Sequence, residues 1–369
     1  MAAPPFPLLL GPGPSNVPPA VLRAMTQPLR GHLDPAFLAV MDEVQTRLRR
    51  LFGTANAMTL PLSATGSAGM EACLVNLLEP GDALVVGVAG VFGERMADVA
   101  SRAGARVVRV ETAWGTPLDP DAMARAIRRE RPRAVAFVHA ETSTGVLQPV
   151  PPIAEAAREA GAFVVLDCVT SLGGVPLELD AWGVDAAYSG TQKCLSCPPG
   201  LSPISFSERA VEHVRARRRP VQSWYLDVSL LAGYYGGERA YHHTAPISAV
   251  YALAEGLRLV EEEGMEARGA RHRDAQAALL EALAPLGFAP RVDAAYRLPP
   301  LTTLELPEPV RTRGEAALRR ALLEEHAIEV GGGLGQLAGR VWRVGLMGEN
   351  ARRDRVEQLA EALRLLLKS

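Results

Sequence analysis

The chain has 369 residues, 48% of them hydrophobic and 22% charged, with a formal net charge of −2. That is enough apolar residue for a large core in more than one domain. The charge argues against nucleic acid as a partner, which selects a strongly basic surface.

Residues 1–16 are rich in Pro and Gly and read as an N-terminal extended arm, ending Gly11-Pro12-Gly13-Pro14-Ser15-Asn16. Pro4, Pro5 and Pro7 stand where a secretory signal would carry basic residues, and Leu367-Lys368-Ser369 is not a peroxisomal or retention address. No apolar stretch reaches the roughly 20 residues needed to span a bilayer. A cytoplasmic protein without a membrane partner is therefore expected. From about residue 36, Phe37, Val40, Met41, Val44 and Leu48 recur at helical spacing. Short apolar runs then follow at 58–62, 83–88, 106–110, 134–138, 162–166 and 185–188, with 203–206 after them. Helical stretches at 69–78, 93–103, 120–129 and 153–160 separate them. Seven strands alternating with helices predict an α/β fold, a mostly parallel sheet covered on both faces, in a large domain over 17–255. A helix at 246–263 leads out of it. A helix at 267–285, strands at 301–306 and 341–346, and helices at 314–326 and 352–367 predict a smaller C-terminal α+β domain over 256–369.

Four cysteines, Cys73, Cys168, Cys194 and Cys197, are too few for a disulfide framework and suit a reducing compartment. Cys194 and Cys197 form a C-x-x-C, but a structural zinc site needs two further ligands at similar spacing and none stands nearby. No metal is expected. The basic run Arg215, Arg217, Arg218 and Arg219 reads as a solvated helix end. Only Lys193 and Lys368 among the 39 basic residues are lysines. Arginine supplies charge equally well, but it cannot lose its proton to become a nucleophilic amine. Lys193 is thus the single interior residue with that chemistry.

In open parallel sheets, ligands bind beyond the carboxyl ends of the strands. The first run is followed by Ser63-Ala64-Thr65-Gly66-Ser67-Ala68-Gly69, opening a helix; small residues and free amides there favour a phosphate, although such turns are common. Next comes Gly90-Val91-Phe92-Gly93, where Phe92 either stacks on a planar ligand or simply packs. His139-Ala140-Glu141-Thr142-Ser143-Thr144-Gly145 is dense in hydroxyls. Asp167 ends an apolar strand; it is a helix cap or the partner of a buried cation, and a protonated pyridine nitrogen would suit it. Ser189-Gly190-Thr191-Gln192-Lys193 brings the lone interior amine to the same mouth, 26 residues past Asp167. Together these specify a phosphate cradle, a ring stacker, hydroxyls, a counter-ion and an amine.

These segments resemble the class V aminotransferases that depend on pyridoxal phosphate (PLP), in particular the alanine–glyoxylate and serine–pyruvate branch. The resemblance runs from Gly11-Pro12-Gly13-Pro14 through Tyr241-His242-His243-Thr244 to Arg343-Val344-Gly345-Leu346. It implies PLP-dependent transferase fold type I, with Lys193 as the Schiff-base lysine and Asp167 on the pyridine nitrogen. Phe92 would stack on the ring, Val169 pack its other face, and Thr142 reach the ring hydroxyl. Thr65, Gly66, Ser67 and Gln192 would hold the phosphate. Tyr241 and Thr244 would come from the neighbouring subunit of a homodimer with shared active sites. Arg343 stands inside an apolar strand, where a guanidinium needs an anion: a substrate carboxylate or an internal salt bridge. The implied reaction moves an amino group from alanine or serine to glyoxylate or pyruvate by a ping-pong mechanism, with freed Lys193 as the base. Among rivals, a desulfurase would need a loop cysteine, and none follows Cys197. A PLP-binding regulator would need a DNA-binding module, for which the arm leaves no room. A nicotinamide enzyme is suggested by Gly331–Gly335 and Gly339, a run too late in the chain to open a βαβ unit.

Overall fold

Apolar runs built from Val, Ala and Leu can be buried on both faces only if helices cover both, and the chain alternates the two element types accordingly. The computed structural model describes residues 6–368; the first five residues of the arm and Ser369 lie outside the described residues. In chain order the strands are β1 (Leu8–Leu10), β2 (Met58–Leu62), β3 (Ala83–Val88), β4 (Arg106–Glu111), β5 (Ala134–Val138), β6 (Ala140–Glu141), β7 (Val146–Leu147), β8 (Phe163–Asp167), β9 (Ala186–Tyr188), β10 (Ser202–Phe206), β11 (Ala289–Pro290), β12 (Leu301–Glu305), β13 (Ile328–Gly332) and β14 (Val341–Gly345).

The large sheet has seven strands in the order β2-β10-β9-β8-β5-β3-β4. All are parallel in direction except β10, which runs antiparallel to both neighbours. The connection from Tyr188 to Ser202 contains no helix, and a parallel neighbour requires a crossover. Every residue of β2, β5 and β8 is buried, whereas edge strand β4 exposes Arg106, Arg109 and Glu111. From β3 the chain moves outward to β4, then returns to the other side of β3 as β5. The strand order therefore reverses between β3 and β5, and a crevice opens beyond their carboxyl ends. Helix Pro35–Phe52 shows how sharply local sequence sets an end. Asp34 accepts the Ala36 amide at 2.8 Å and Pro35 opens the first turn. Gly53 closes it with φ 63, where a Cβ would lie 2.4 Å from the Leu177 carbonyl oxygen.

The second sheet runs β1-β13-β14-β12-β11. Trp342 and Val344 on β14 face the helices Met265–Leu283 and Arg353–Lys368 in one buried cluster, with Trp342 5.5 Å from the Phe288 ring. Arg343, between them, points to the opposite face. One feature departs from the sequence expectation. Part of the arm is a strand: β1 adds in parallel to β13, Leu8 beside Ile328. The glycine run is no nucleotide loop, because Gly331 and Gly332 end β13 and pair with Arg343 and Trp342.

Candidate active site

Five strands of the large sheet end at one mouth, each followed by its polar residues. After β2, Thr65 is the N-cap of helix Gly66–Leu77, in extended backbone, and its hydroxyl makes no capping hydrogen bond. The first amides of that helix have no carbonyl within it to bond, and the helix dipole adds positive charge. Thr65 and Ser67 are exposed and Gly66 is buried. A Cβ on Gly66 would stand 3.3 Å from Ser189 O and 3.4 Å from Val169 Cγ2, so this turn is seated on the loops after β8 and β9. After β3, Phe92 is half-buried on the first turn of helix Val91–Arg102, with the Arg95 guanidinium 5.0 Å from its ring centroid. After β5, buried Thr142 places Oγ1 2.6 Å from Thr170 Oγ1. Gln192 is half-buried, its Oε1 2.6 Å from where a Gly190 Cβ would stand.

Three charged residues converge here. Asp167 is 2% exposed; its Oδ2 accepts the Tyr188 hydroxyl at 2.7 Å and its Oδ1 the Val169 amide at 2.8 Å. Burial pushes its carboxyl up to about 6, against the pull of those bonds, Lys193 and Arg95. At neutral pH it is a carboxylate with lone pairs left for a cation. Burial brings Lys193 down to about 8, helped by the Arg343 charge and opposed by Asp167. Its Nζ donates to the Pro12 carbonyl. Gly13, at φ 99, lies against the lysine side chain, where a Cβ would stand 2.6 Å from Nζ. Arg343 is 6% exposed and donates to Gly332 O at 2.8 Å and Thr142 O at 3.3 Å. Among the described residues it has no ion pair, so the internal salt bridge is not found. Burial lowers it to about 10, with Glu141 opposing.

Other expected residues fall elsewhere. Tyr241 is 62% exposed and packs on His32 at 5.1 Å, and Thr244 is exposed. Among the described residues, neither side chain bonds to the strand-end residues of its own chain. Cys194 and Cys197 are buried free thiols with Sγ toward the Thr170 and Ala252 carbonyls, and burial pushes both to about 12, which makes them inert. The basic run is not simply solvated. Arg217 Nη1 donates to the Val75, Asn76 and Leu78 carbonyls at 2.9, 2.7 and 3.0 Å, capping the carboxyl end of helix Gly66–Leu77. Tyr188, Thr170 and the Pro12–Gly13 backbone were not anticipated. Tyr188 comes into view once the strands are paired: β8 and β9 end together, with Asp167 opposite Tyr188 in register.

The family model for Aminotransferase class-V matches residues 8–339. The chain belongs to the class V aminotransferases. It is 42% identical over 364 residues to an alanine–glyoxylate aminotransferase of Oryctolagus cuniculus, covering 98% of this chain and 92% of that one. It is 39% identical over 370 residues to an (S)-ureidoglycine–glyoxylate transaminase of Bacillus subtilis, covering 95% and 88%. The crystal structure of an alanine–glyoxylate aminotransferase from Nostoc sp. superposes with a TM-score of 0.96 at 51% identity, over 100% of this chain and 97% of that one. The aminotransferase therefore uses PLP, with the fold of the PLP-dependent enzymes. Its residues suit that group. An amine with a depressed pKa, a buried carboxylate with unused lone pairs, and a helix start with free amides stand at one mouth. These match an aldehyde, a protonated ring nitrogen and a phosphate. No helix among the described residues is long and apolar enough to cross a membrane.

Proposed function

We propose that this aminotransferase moves the amino group of a small amino acid, alanine or serine, to a small 2-oxo acid, glyoxylate or pyruvate, in a ping-pong sequence. The observation that carries this reading is Arg343: a buried guanidinium held only by backbone carbonyls, close enough to Lys193 to depress its amine. A planar fork beside an amine matches the carboxylate of an amino acid or 2-oxo acid. Glyoxylate leads among acceptors because relatives 42% and 39% identical are named for it.

PLP, when bound, supplies an aldehyde that condenses with amines and a pyridine ring that draws off electrons. Lys193 Nζ would hold it and, once displaced by the substrate amine, would take the proton from the substrate α-carbon. Asp167 would keep a proton on the ring nitrogen. Phe92 and Val169 would pack its two faces, and Thr142 would meet the ring hydroxyl. Thr65, Gly66, Ser67 and Gln192 would hold the phosphate, joined by Tyr241 and Thr244 of the partner in a homodimer. Exposed Leu29, Leu33, Trp224 and Tyr241 support such an interface. We divide the chain into the arm, a PLP-binding domain to residue 255 and a small domain after it, and assign the protein to the cytoplasm, which its four free thiols favour.

Half-reactions with alanine, serine and (S)-ureidoglycine as donors, and glyoxylate and pyruvate as acceptors, test the reading. Alanine or serine paired with glyoxylate should turn over fastest, with parallel double-reciprocal plots. An enzyme inert toward alanine and serine would sink it.

A further inference from the structure

The loops after β3 and β5 meet where the strand order reverses, and two buried residues join them that have no role so far. Glu141 is 1% exposed and Ser143 fully buried. The Ser143 hydroxyl has one hydrogen and gives it to Glu141 Oε1 at 2.5 Å; the Ser143 amide donates to the same oxygen at 3.1 Å. With its hydrogen committed, the hydroxyl presents lone pairs, and it accepts the Val91 amide at 3.0 Å. Val91 is the first residue of its helix, so that amide has no acceptor within the helix. Phe92 is the next residue.

Glycines close the grip on this turn. A Cβ on Gly90 would lie 2.4 Å from Ser143 Oγ and 2.5 Å from the Glu141 carboxyl carbon. One on Gly93 would lie 2.8 Å from the Gly87 carbonyl oxygen, on β3 itself. The turn bearing Phe92 is thus held between the Glu141–Ser143 pair and the sheet. Burial raises the Glu141 carboxyl to about 7, against the pull of its bonds to Ser143 and the Gly93 amide. A buried acid is costly, and the fold retains it at this position.

We propose that Glu141 and Ser143 are positioning residues for transamination: through the Val91 amide they set where the Phe92 ring lies against the cofactor. The proposal rests on the reading that Phe92 stacks on PLP. Two measurements on the full chain test it. One is hydrogen exchange at the Val91 amide without cofactor; the other is the visible circular dichroism of the holoenzyme. Ser143→Ala and Glu141→Ala should speed exchange at Val91 by about fivefold to tenfold and alter the dichroic band. Glu141→Gln keeps an acceptor oxygen for Ser143 and should stay close to the native protein in both. Unchanged exchange in Ser143→Ala overturns the relay, as does a Glu141→Gln variant as damaged as Glu141→Ala. Phe92→Ala separates the underlying reading: if its dichroic band is native, the stacking fails and takes the link to the cofactor with it, whatever Val91 does.

Discussion

In the proposed reaction Lys193 serves as amine and as base, and both tasks need it neutral. Burial and the Arg343 charge supply the shift, to about 8. The rate at which the cofactor-free protein captures PLP should therefore rise with pH and level off above about 8, followed by stopped-flow absorbance. Lys193→Ala should lose at least about a thousandfold in the half-reaction rate. Asp167 carries the opposite burden. Its carboxyl, at about 6 in the fold, lies above the roughly 3.9 of an unfolded Asp. Its charge thus opposes folding above pH 6, and the penalty fades as pH falls toward 4. Asp167→Asn should stabilise the cofactor-free protein at pH 8 by up to about 3 kcal/mol, and by about half as much at pH 5, read from urea midpoints. The same variant should hold PLP poorly. Arg343→Lys keeps the charge and loses the fork; kcat/KM should drop about 10- to 100-fold, mainly through KM. These three residues were legible in the sequence because each breaks a pattern: a lone interior lysine, an acid ending an apolar strand, an arginine inside one. Tyr188, Thr170 and the Pro12 carbonyl break none, and they emerge only when neighbouring strands and the arm are placed together.

At the scale of elements, buried parallel strands announce themselves as apolar runs, and all seven strands of the large sheet were readable within a residue or two. Strand β13 was not. Ile328 and Val330 are buried and Glu329 is exposed, a period of two, but Gly331 and Gly332 cut the pattern short. Direction was equally hidden for β10, since it depends on the path of the connection that carries Lys193. Helix Gly66–Leu77 ends without a capping glycine, and Arg217, 139 positions beyond Leu78, satisfies its carbonyls instead. Arg217→Ala should lower stability by about 2–3 kcal/mol in urea unfolding. Arg217→Lys should recover part of the loss, because one nitrogen, Nη1, reaches all three carbonyls and an ammonium carries three hydrogens.

At the scale of the whole molecule, two residues of the proposed site lie on the surface of the chain. Tyr241 and Thr244 are exposed, Leu29 is 71% exposed, and the proposed dimer would cover them. Residues supplied by a partner leave a sequence signal only through family resemblance. If the site is shared, PLP affinity should weaken as the protein is diluted, and Tyr241→Glu should shift sedimentation toward the monomer while raising the PLP dissociation constant.

The pairing of β1 with β13 joins positions 8 and 328. Synthesis runs from the amino-terminal side, so β1 waits unpaired until the chain has been made through β13, about 320 positions later. Ser15 ties the arm to the Lys193 and Gln192 carbonyls, so β1 fastens the far end of a strap whose middle, Pro12 and Gly13, lies on the lysine. Without Ile328–Gly332 the strap would be fastened at one end only, and the ε-amine should react faster with an added aldehyde.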